Sequence, residues 1–531
     1  MKRILSLAVA ASMLLSAIPA MAETATEATY IPAPYNAEEV DPTKTYLEPV
    51  FYQNENGPTI GVTTVGVIQQ DGLYFKDSDN DHELDAFEDW RLPAEERAAD
   101  MVTKMTLTEQ AGFVLNALMV MPGSKTLADV KNEDGTINPA KVMTVIPEGE
   151  TTKSLIMLNS ASSSFASMDD QVMSIGKIRA GVYRGGLNYD ASVVALYNNV
   201  TTAFAEWDSA KAGTPAIPVT LISNPISAGF PDSLGMAAAV LGDGNYDAIK
   251  DYAEVDRQMW RSQGIIFMYG PQIDLVTDPR WPRNSGTYGE RPDVTAGIIT
   301  ALVDGYQYGK DGVNEKSVVL SAKHFPGDGQ DERDQHLVTS INSMDCDPWM
   351  NTYGAAYKAG IEAGALTAMV GHIMQPAWTR RLNPGIKDED IMPGTLSREM
   401  MQGLLRGELG FNGLICTDAT TMAGYTLAMS RRRAVPESIA RGADMFLFAR
   451  NLEEDYGFML QGIKDGIITP ERLDEAVTRI LATKAALGLH RGAPELDVEK
   501  AKTIVGCAKH QQWAEECADK AITLVKEQPG V

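Results

Sequence analysis

Apolar positions along this chain change character at about residue 180. From there onward, short and nearly continuous apolar runs alternate with longer stretches of helical periodicity. The runs that predict strands are Arg179–Gly186, Ile217–Ile222, Ile265–Leu275, Ser317–Phe325, Leu366–Ile373, Gly413–Asp418 and Asp444–Phe448. Helices are predicted over Ala191–Trp207, Tyr246–Gln263 and Asp293–Tyr308, and around 349–363, 396–409 and 431–442. Strands that are apolar on both faces must be covered on both, which points to a parallel sheet between helices. That sheet is either open and doubly wound or closed into a barrel. His324, His372 and Asp418 each stand at the carboxyl end of a different run, and the chain carries no glycine-rich dinucleotide or phosphate loop. The expectation is therefore an α/β chain with a (β/α)8 TIM-barrel-like domain.

The two ends read differently. Lys2 and Arg3 precede an apolar run from Ile4 to Ile18 and then Ala20-Met21-Ala22, the pattern of a signal peptide over 1–22 cleaved near Ala22. The run is shorter than the ~20 residues of a bilayer span. A secreted or periplasmic protein without membrane insertion after cleavage is expected. Residues 23–76 are expected to form an N-terminal extension with weak periodicity.

Charge narrows the partners. Forty-six Lys and Arg against 71 Asp and Glu leave a net charge of -25, which repels phosphate backbones and anionic lipid and argues against a nucleic-acid partner. Cys346, Cys416, Cys507 and Cys517 show no CxxC spacing, so neither a zinc site nor a disulfide framework is read from them. A Cys507–Cys517 cross-link and buried free thiols are both open.

Chemistry concentrates in three segments. Residues 323–336, KHFPGDGQDERDQH, follow an apolar run with two histidines, a lysine and three aspartates, and Gly327 and Gly329 permit a tight loop. Gly413–Asp418 is an apolar strand ending in a carboxylate, whose burial needs a partner such as Lys323 unless the aspartate merely caps a helix beginning at Ala419. The third, from Asp274 to Glu290, sets aspartates, Arg280, Arg283 and Trp281 in a Pro/Gly loop. Such a set suits sugar hydroxyls and a sugar face, or a plain ion-paired loop. Separately, Asp77, Asp79, Asp81, Asp85 and Glu88 place oxygens at positions 1, 3, 5, 9 and 12 of a calcium loop over 77–88, with His82 where glycine is usual. Structural calcium is expected there, with a solvated acidic turn as the alternative, and no cofactor is expected for catalysis.

The runs DPRWPRNSGTYGE, KHFPGDGQDERDQH, AMVGHI and GELGFNGLICTDATTM occur in order over residues 278–422 and resemble the signature regions of glycoside hydrolase family 3. The resemblance spans roughly residues 90 to 525. It implies a barrel domain over 89–490, with 491–531 as linker and the start of a truncated second α/β domain. It also implies a retaining glycosidase in which Asp418 is the nucleophile and Lys323, His324 and Arg283 hold sugar hydroxyls. Asp334-Gln335-His336 is similar to the Asp-x-His of the β-N-acetylglucosaminidase branch, which implies His336 as acid/base oriented by Asp334. The expected activity is that of a β-N-acetylhexosaminidase on a carbohydrate substrate. The alternatives are a β-glucosidase whose acid/base lies in a missing second domain and a non-catalytic sugar-binding barrel. Asn224 stands where many family members carry an aspartate, which leaves the sugar open.

Overall fold

A computed structural model describes residues 28–119, 125–143, 178–183, 190–225, 229–309, 312–492 and 496–527. The expected signal peptide lies outside these residues.

Eight parallel strands form the centre: β1 Leu115–Met119, β2 Ala180–Tyr183, β3 Thr220–Ser223, β4 Ile265–Met268, β5 Val319–Phe325, β6 Thr367–Val370, β7 Leu414–Thr417 and β8 Phe446–Leu447. They pair in the order β7-β6-β5-β4-β3-β2-β1-β8. The two ends of this order meet, because Cys416 bridges Met445 in parallel and the Thr417 N–H donates to the Met445 carbonyl at 3.0 Å. The result is a curled parallel sheet surrounded by helices. The described side chains of its strands are mostly buried, with Leu221, Ile265, Leu320, Val370, Ile415 and Phe446 nearly inaccessible. Each such side chain withdrawn from water contributes ~1.5–3 kcal/mol.

The predicted elements are met with shifts that have local causes. Strand β1 escapes the sequence pattern because Leu115-Asn116-Ala117-Leu118-Met119 has no β-branched residue and directly follows the helix Leu107–Phe113. The run predicted over Ile265–Leu275 leaves regular pairing after Met268, where Gly270-Pro271 removes a ladder donor. The chain nevertheless continues beside β5, with the Lys323 N–H donating to the Pro271 carbonyl and the Ile273 N–H to the Lys323 carbonyl. The helix expected over 396–409 is observed as a π-helix over Glu399–Glu408.

The described part of the N-terminal extension is more ordered than its composition suggests. Strands Thr29–Ile31, Gly66–Gln70 and Leu73–Asp77 form an antiparallel sheet. It docks on the helix Ala191–Ala212 through a buried Lys76–Glu206 ion pair of 2.7 Å. Glu206 also accepts the N–H groups of Thr63 and Thr64, so the buried charge is fully partnered. At the other end, the helix Ala508–Ala521 packs on helices Ser233–Asp243 and Asp247–Ser262. All four cysteines are free thiols.

A second buried charge ties the sheet to its outer layer. Asp444 is inaccessible, lies 2.8 Å from Arg406, 2.6 Å from Arg472 and 3.3 Å from Arg479, and accepts the Ile415 N–H. Among the described residues, no helix is long and apolar enough to cross a membrane.

Candidate active site

A cavity of about 870 Å³ opens at the carboxyl ends of the strands, and Lys323, His324, Arg283, Asp418 and His336 all line it. Neighbouring residues of a regular strand point to opposite faces, yet Lys323 and His324 reach the same cavity. The β5–β6 ladder shifts register between Ala322 and Phe325, which redirects one of the two side chains.

Asp418 follows β7 directly. Its N–H donates to the Val370 carbonyl at 2.8 Å, and its Oδ1 accepts the Ala419 N–H at 2.7 Å. Oδ2 has no hydrogen-bond partner and faces His324 Nε2 at 3.6 Å. Burial pushes this carboxyl up, but His324, His372, the Lys323 ammonium and the Ala419 N–H outweigh it and hold it at about 2. Both imidazoles are themselves pushed below their ordinary value by burial. At neutral pH, Lys323 and the Ala419 amide are therefore the groups that keep Asp418 charged. Burial pulls the Lys323 ammonium down to about 8 against the opposing pull of Asp418.

His324 is fixed from behind. Its Nδ1 lies 2.7 Å from Asp274 Oδ2, while Asp274 Oδ1 accepts the N–H groups of His324 and Asp328 at 3.1 and 2.7 Å. Burial raises the Asp274 carboxyl, but His324 and these N–H donors lower it further, so Asp274 carries the charge. The imidazole proton then sits on Nδ1, and Nε2 presents a lone pair toward Arg283 Nη1 at 3.4 Å. Arg283 is held from its other side by Gln272 Oε1 at 3.1 Å. Arg283, Lys323 and His324 thus offer two cations and one acceptor around an anionic carboxylate, a set suited to hydroxyl groups.

The loop after β5 carries a second Asp–His pair. Asp334 Oδ1 lies 2.6 Å from His336 Nδ1 and accepts the His336 N–H at 2.9 Å. Nδ1 therefore holds a proton, which leaves Nε2 as the nitrogen able to exchange one. The His336 side chain is 46% exposed, so solvent and substrate can both reach it. Gly327 and Gly329 take φ of 112° and 91°, and a Cβ on Gly329 would lie 2.3 Å from the Leu275 carbonyl oxygen, as the tight loop requires. The same loop is stitched to the one after β7. The Ala423 and Gly424 N–H groups donate to the His336 and Gln335 carbonyls at 3.1 and 3.0 Å, and Gln335 Oε1 accepts the His372 N–H at 2.7 Å.

Other sequence candidates take different places. The His372 Nε2–H donates to the Ala419 carbonyl and its Nδ1 meets Thr395 Oγ1, so this fully buried ring supports the Asp418 loop. Trp281 is fully buried and presents no face to the cavity. Arg280 forms ion pairs with both Asp278 and Glu332 at the surface. Asn224 does line the cavity, as do Tyr252 and Tyr288. Asp274 and Gln272 have roles that the sequence reading missed. For Asp274 the available signal was an aspartate inside the apolar run Ile265–Leu275.

The acidic loop lies at the opposite end of the sheet, where the Ala216 N–H, ahead of β3, donates to the Ser78 carbonyl. Carboxylate oxygens of Asp77, Asp79 and Asp81 fall within 4.8 Å of one another. Asp85 is instead paired with Lys104, and the two oxygens of Glu88 accept the N–H groups of Ser78 and Asp85.

Known proteins share sequence and fold with this chain. The model of the glycosyl hydrolase family 3 N-terminal domain matches residues 220–483. A protein described as a β-N-acetylglucosaminidase/β-glucosidase from Cellulomonas fimi is 47% identical over 299 residues, 56% of this chain and 52% of that protein. A periplasmic β-glucosidase/β-xylosidase from Dickeya chrysanthemi is 30% identical over 499 residues, 87% of this chain and 68% of that protein. The chain thus spans about half the length of the Cellulomonas relative. Among solved structures, a β-glucoside phosphorylase matches with a TM-score of 0.66 and 32% identity over 83% of this chain and 70% of its own.

Proposed function

The chain belongs to glycosyl hydrolase family 3, and from that premise we propose that it is a retaining β-glycosidase acting on terminal non-reducing β-linked sugars. N-acetylhexosaminides are its preferred class, and the curled sheet is read as the family's (β/α)8 barrel. Asp418 Oδ2 attacks the anomeric carbon while His336 Nε2–H protonates the leaving oxygen. His336 then takes a proton from water as the glycosyl ester is hydrolysed. Asp334 fixes the tautomer that this exchange needs, and Lys323, His324 and Arg283 bind hydroxyls.

One observation carries this reading: His336, bound to Asp334, and an unpartnered, ionised Asp418 oxygen line the same cavity. A retaining site needs a nucleophilic carboxylate and a separate proton donor, and a histidine can serve as the latter without a carboxyl some ~5–5.5 Å away. The description of the Cellulomonas relative covers both sugars, and the Asp334-Gln335-His336 spacing is what favours the acetamido class. The β-glucosidase reading draws support from the Dickeya relative, which aligns with more of the chain. Its donor would lie outside residues 28–527. Export to the periplasm or beyond is proposed on the same relative's description and on the sequence of residues 1–22.

The test is hydrolysis of paired aryl β-N-acetylglucosaminides and β-glucosides, with and without phosphate, by the full chain and its His336→Ala and Asp418→Asn variants. Preference for the acetamido sugar is expected, with losses of about 10²–10⁴-fold for His336→Ala on poor leaving groups. Glucoside preference with His336→Ala unaffected would move the donor elsewhere. No activity on either sugar would leave a sugar-binding domain.

A further inference from the structure

The acidic loop after strand Leu73–Asp77 has no part in the cavity chemistry, and its geometry is that of a cation cradle. Asp77 is fully buried, and neither of its carboxylate oxygens has a hydrogen-bond partner. Asp79 Oδ1 is also buried without one. Three carboxylate oxygens within 4.8 Å of one another can all lie on one ion whose oxygen ligands sit at ~2.3–2.6 Å. Among the described residues no ion pair reaches Asp77, Asp79 or Asp81, since Lys76 is taken by Glu206 and Lys104 by Asp85. A fully buried carboxylate facing two others, with no cation paired to it and at most the His82 backbone N–H near it, is costly in water-free surroundings, so the cluster calls for a bound positive charge.

The turn resolves the sequence objection at position six. His82 takes φ of 68°, the left-handed conformation for which glycine is usual there, and its ring stacks on Tyr30 at 3.7 Å. The contact with a strand of the N-terminal sheet holds a non-glycine residue in that conformation. The Glu83 N–H donates to Asp81 Oδ1, as in a closed loop of this kind.

We propose that residues 77–88 bind one calcium ion through Asp77, Asp79 and Asp81, with the backbone of Glu83 and a second lone pair of Glu88 completing the shell. The loop connects three parts of the molecule. Strand Leu73–Asp77 enters it, the Ser78 carbonyl accepts the Ala216 N–H ahead of β3, and the Phe87 carbonyl accepts Arg97 of helix Ala94–Lys104. The ion locks the N-terminal sheet to the sheet end remote from the cavity, so it governs stability and leaves the chemistry alone. Oxygen-only ligands supplied by three carboxylates and a loop backbone favour calcium over magnesium, which demands a tight octahedron.

The experiment uses the full chain stripped with EDTA, with calcium chloride as the probe in calorimetric titration and thermal melting. One calcium per chain is expected, with a rise in melting temperature of roughly 3 °C at a hundredfold excess over Kd and a smaller rise with equal magnesium. The Asp79→Asn/Asp81→Asn double variant should lose the rise and keep its far-ultraviolet circular dichroism, while Glu83→Gln should keep the rise. Absence of both heat and melting shift in the unmodified chain overturns the proposal whatever the variants do. An equal shift with magnesium overturns its assignment to calcium.

Discussion

Replacing Asp274 by Asn tests the machinery behind His324 without touching a residue that faces the cavity. The asparagine keeps the shape, but its two ends now differ. With its oxygen toward the His324 and Asp328 N–H groups, 3.1 and 2.7 Å away in the native site, its NH₂ meets His324 Nδ1, and the imidazole proton must move to Nε2. That N–H then points at Arg283 Nη1, a donor 3.4 Å away, and at Asp418 Oδ2, 3.6 Å away. The Nε2 lone pair proposed to receive a sugar hydroxyl is lost, and Asp418, the proposed nucleophile, gains a competing hydrogen bond. With the amide reversed, its NH₂ faces two backbone donors instead. Either arrangement forfeits a hydrogen bond to a charged group, worth ~1.5–3 kcal/mol, which converts to about a 10- to 150-fold loss in kcat/KM. Initial rates on an aryl glycoside would measure it, with thermal melting to confirm folding. A positioning role predicts that kcat falls more than KM rises. A folded Asp274→Asn enzyme within about twofold of the parent would refute the tautomer argument.

Three further outcomes are expected. Because burial pulls Lys323 down to about 8, kcat/KM should fall as pH rises through that value, and Lys323→Arg should move the falling limb upward; an unchanged limb would assign it to another group. The same depression means that the unfolded state binds more protons between about pH 8 and the ordinary lysine range, so the cost of burying the ammonium is full below pH 8 and relieved above it. Asp418, held at about 2, acts in the opposite range: its stabilising contribution is complete above the ordinary aspartate range and is lost as pH falls from there toward 2, which acid unfolding of Asp418→Asn against the parent would reveal. Asp444→Ala would strand the guanidinium groups of Arg406, Arg472 and Arg479 and cost about 3–5 kcal/mol in denaturant unfolding.

The sequence carried the barrel-like rhythm because buried parallel strands must be apolar on both faces, and it carried Lys323, His324, Asp418 and His336 because strand ends and the adjoining loop are where polar residues interrupt that rhythm. Strand β1 was illegible for the opposite reason: its leucines, alanine and methionine suit a helix equally well, and only tertiary pairing makes them a strand. The partner of His324 was hidden because hydrogen bonds such as Asp274 to His324, fifty residues apart, leave no trace in local pattern. Trp281 misled in the other direction. An aromatic residue in a loop beside arginines suits sugar stacking, yet the fold withdraws it completely. The burial of Asp77 could not be foreseen either, since a DxDxD run looks the same whether solvated or enclosed.

The stitching of the His336 loop to the segment after Asp418 has a consequence for how this site can change. Both fastenings described there are backbone to backbone, Ala423 to His336 and Gly424 to Gln335, so they are indifferent to most side chains. The gap between His336 and Asp418 behaves like a ruler graduated in residues. Substitutions along residues 330–333 can vary the surface of the loop while the ruler keeps its length. A single insertion between Phe325 and Gln335 would slip it by a whole division and part the two groups without altering either.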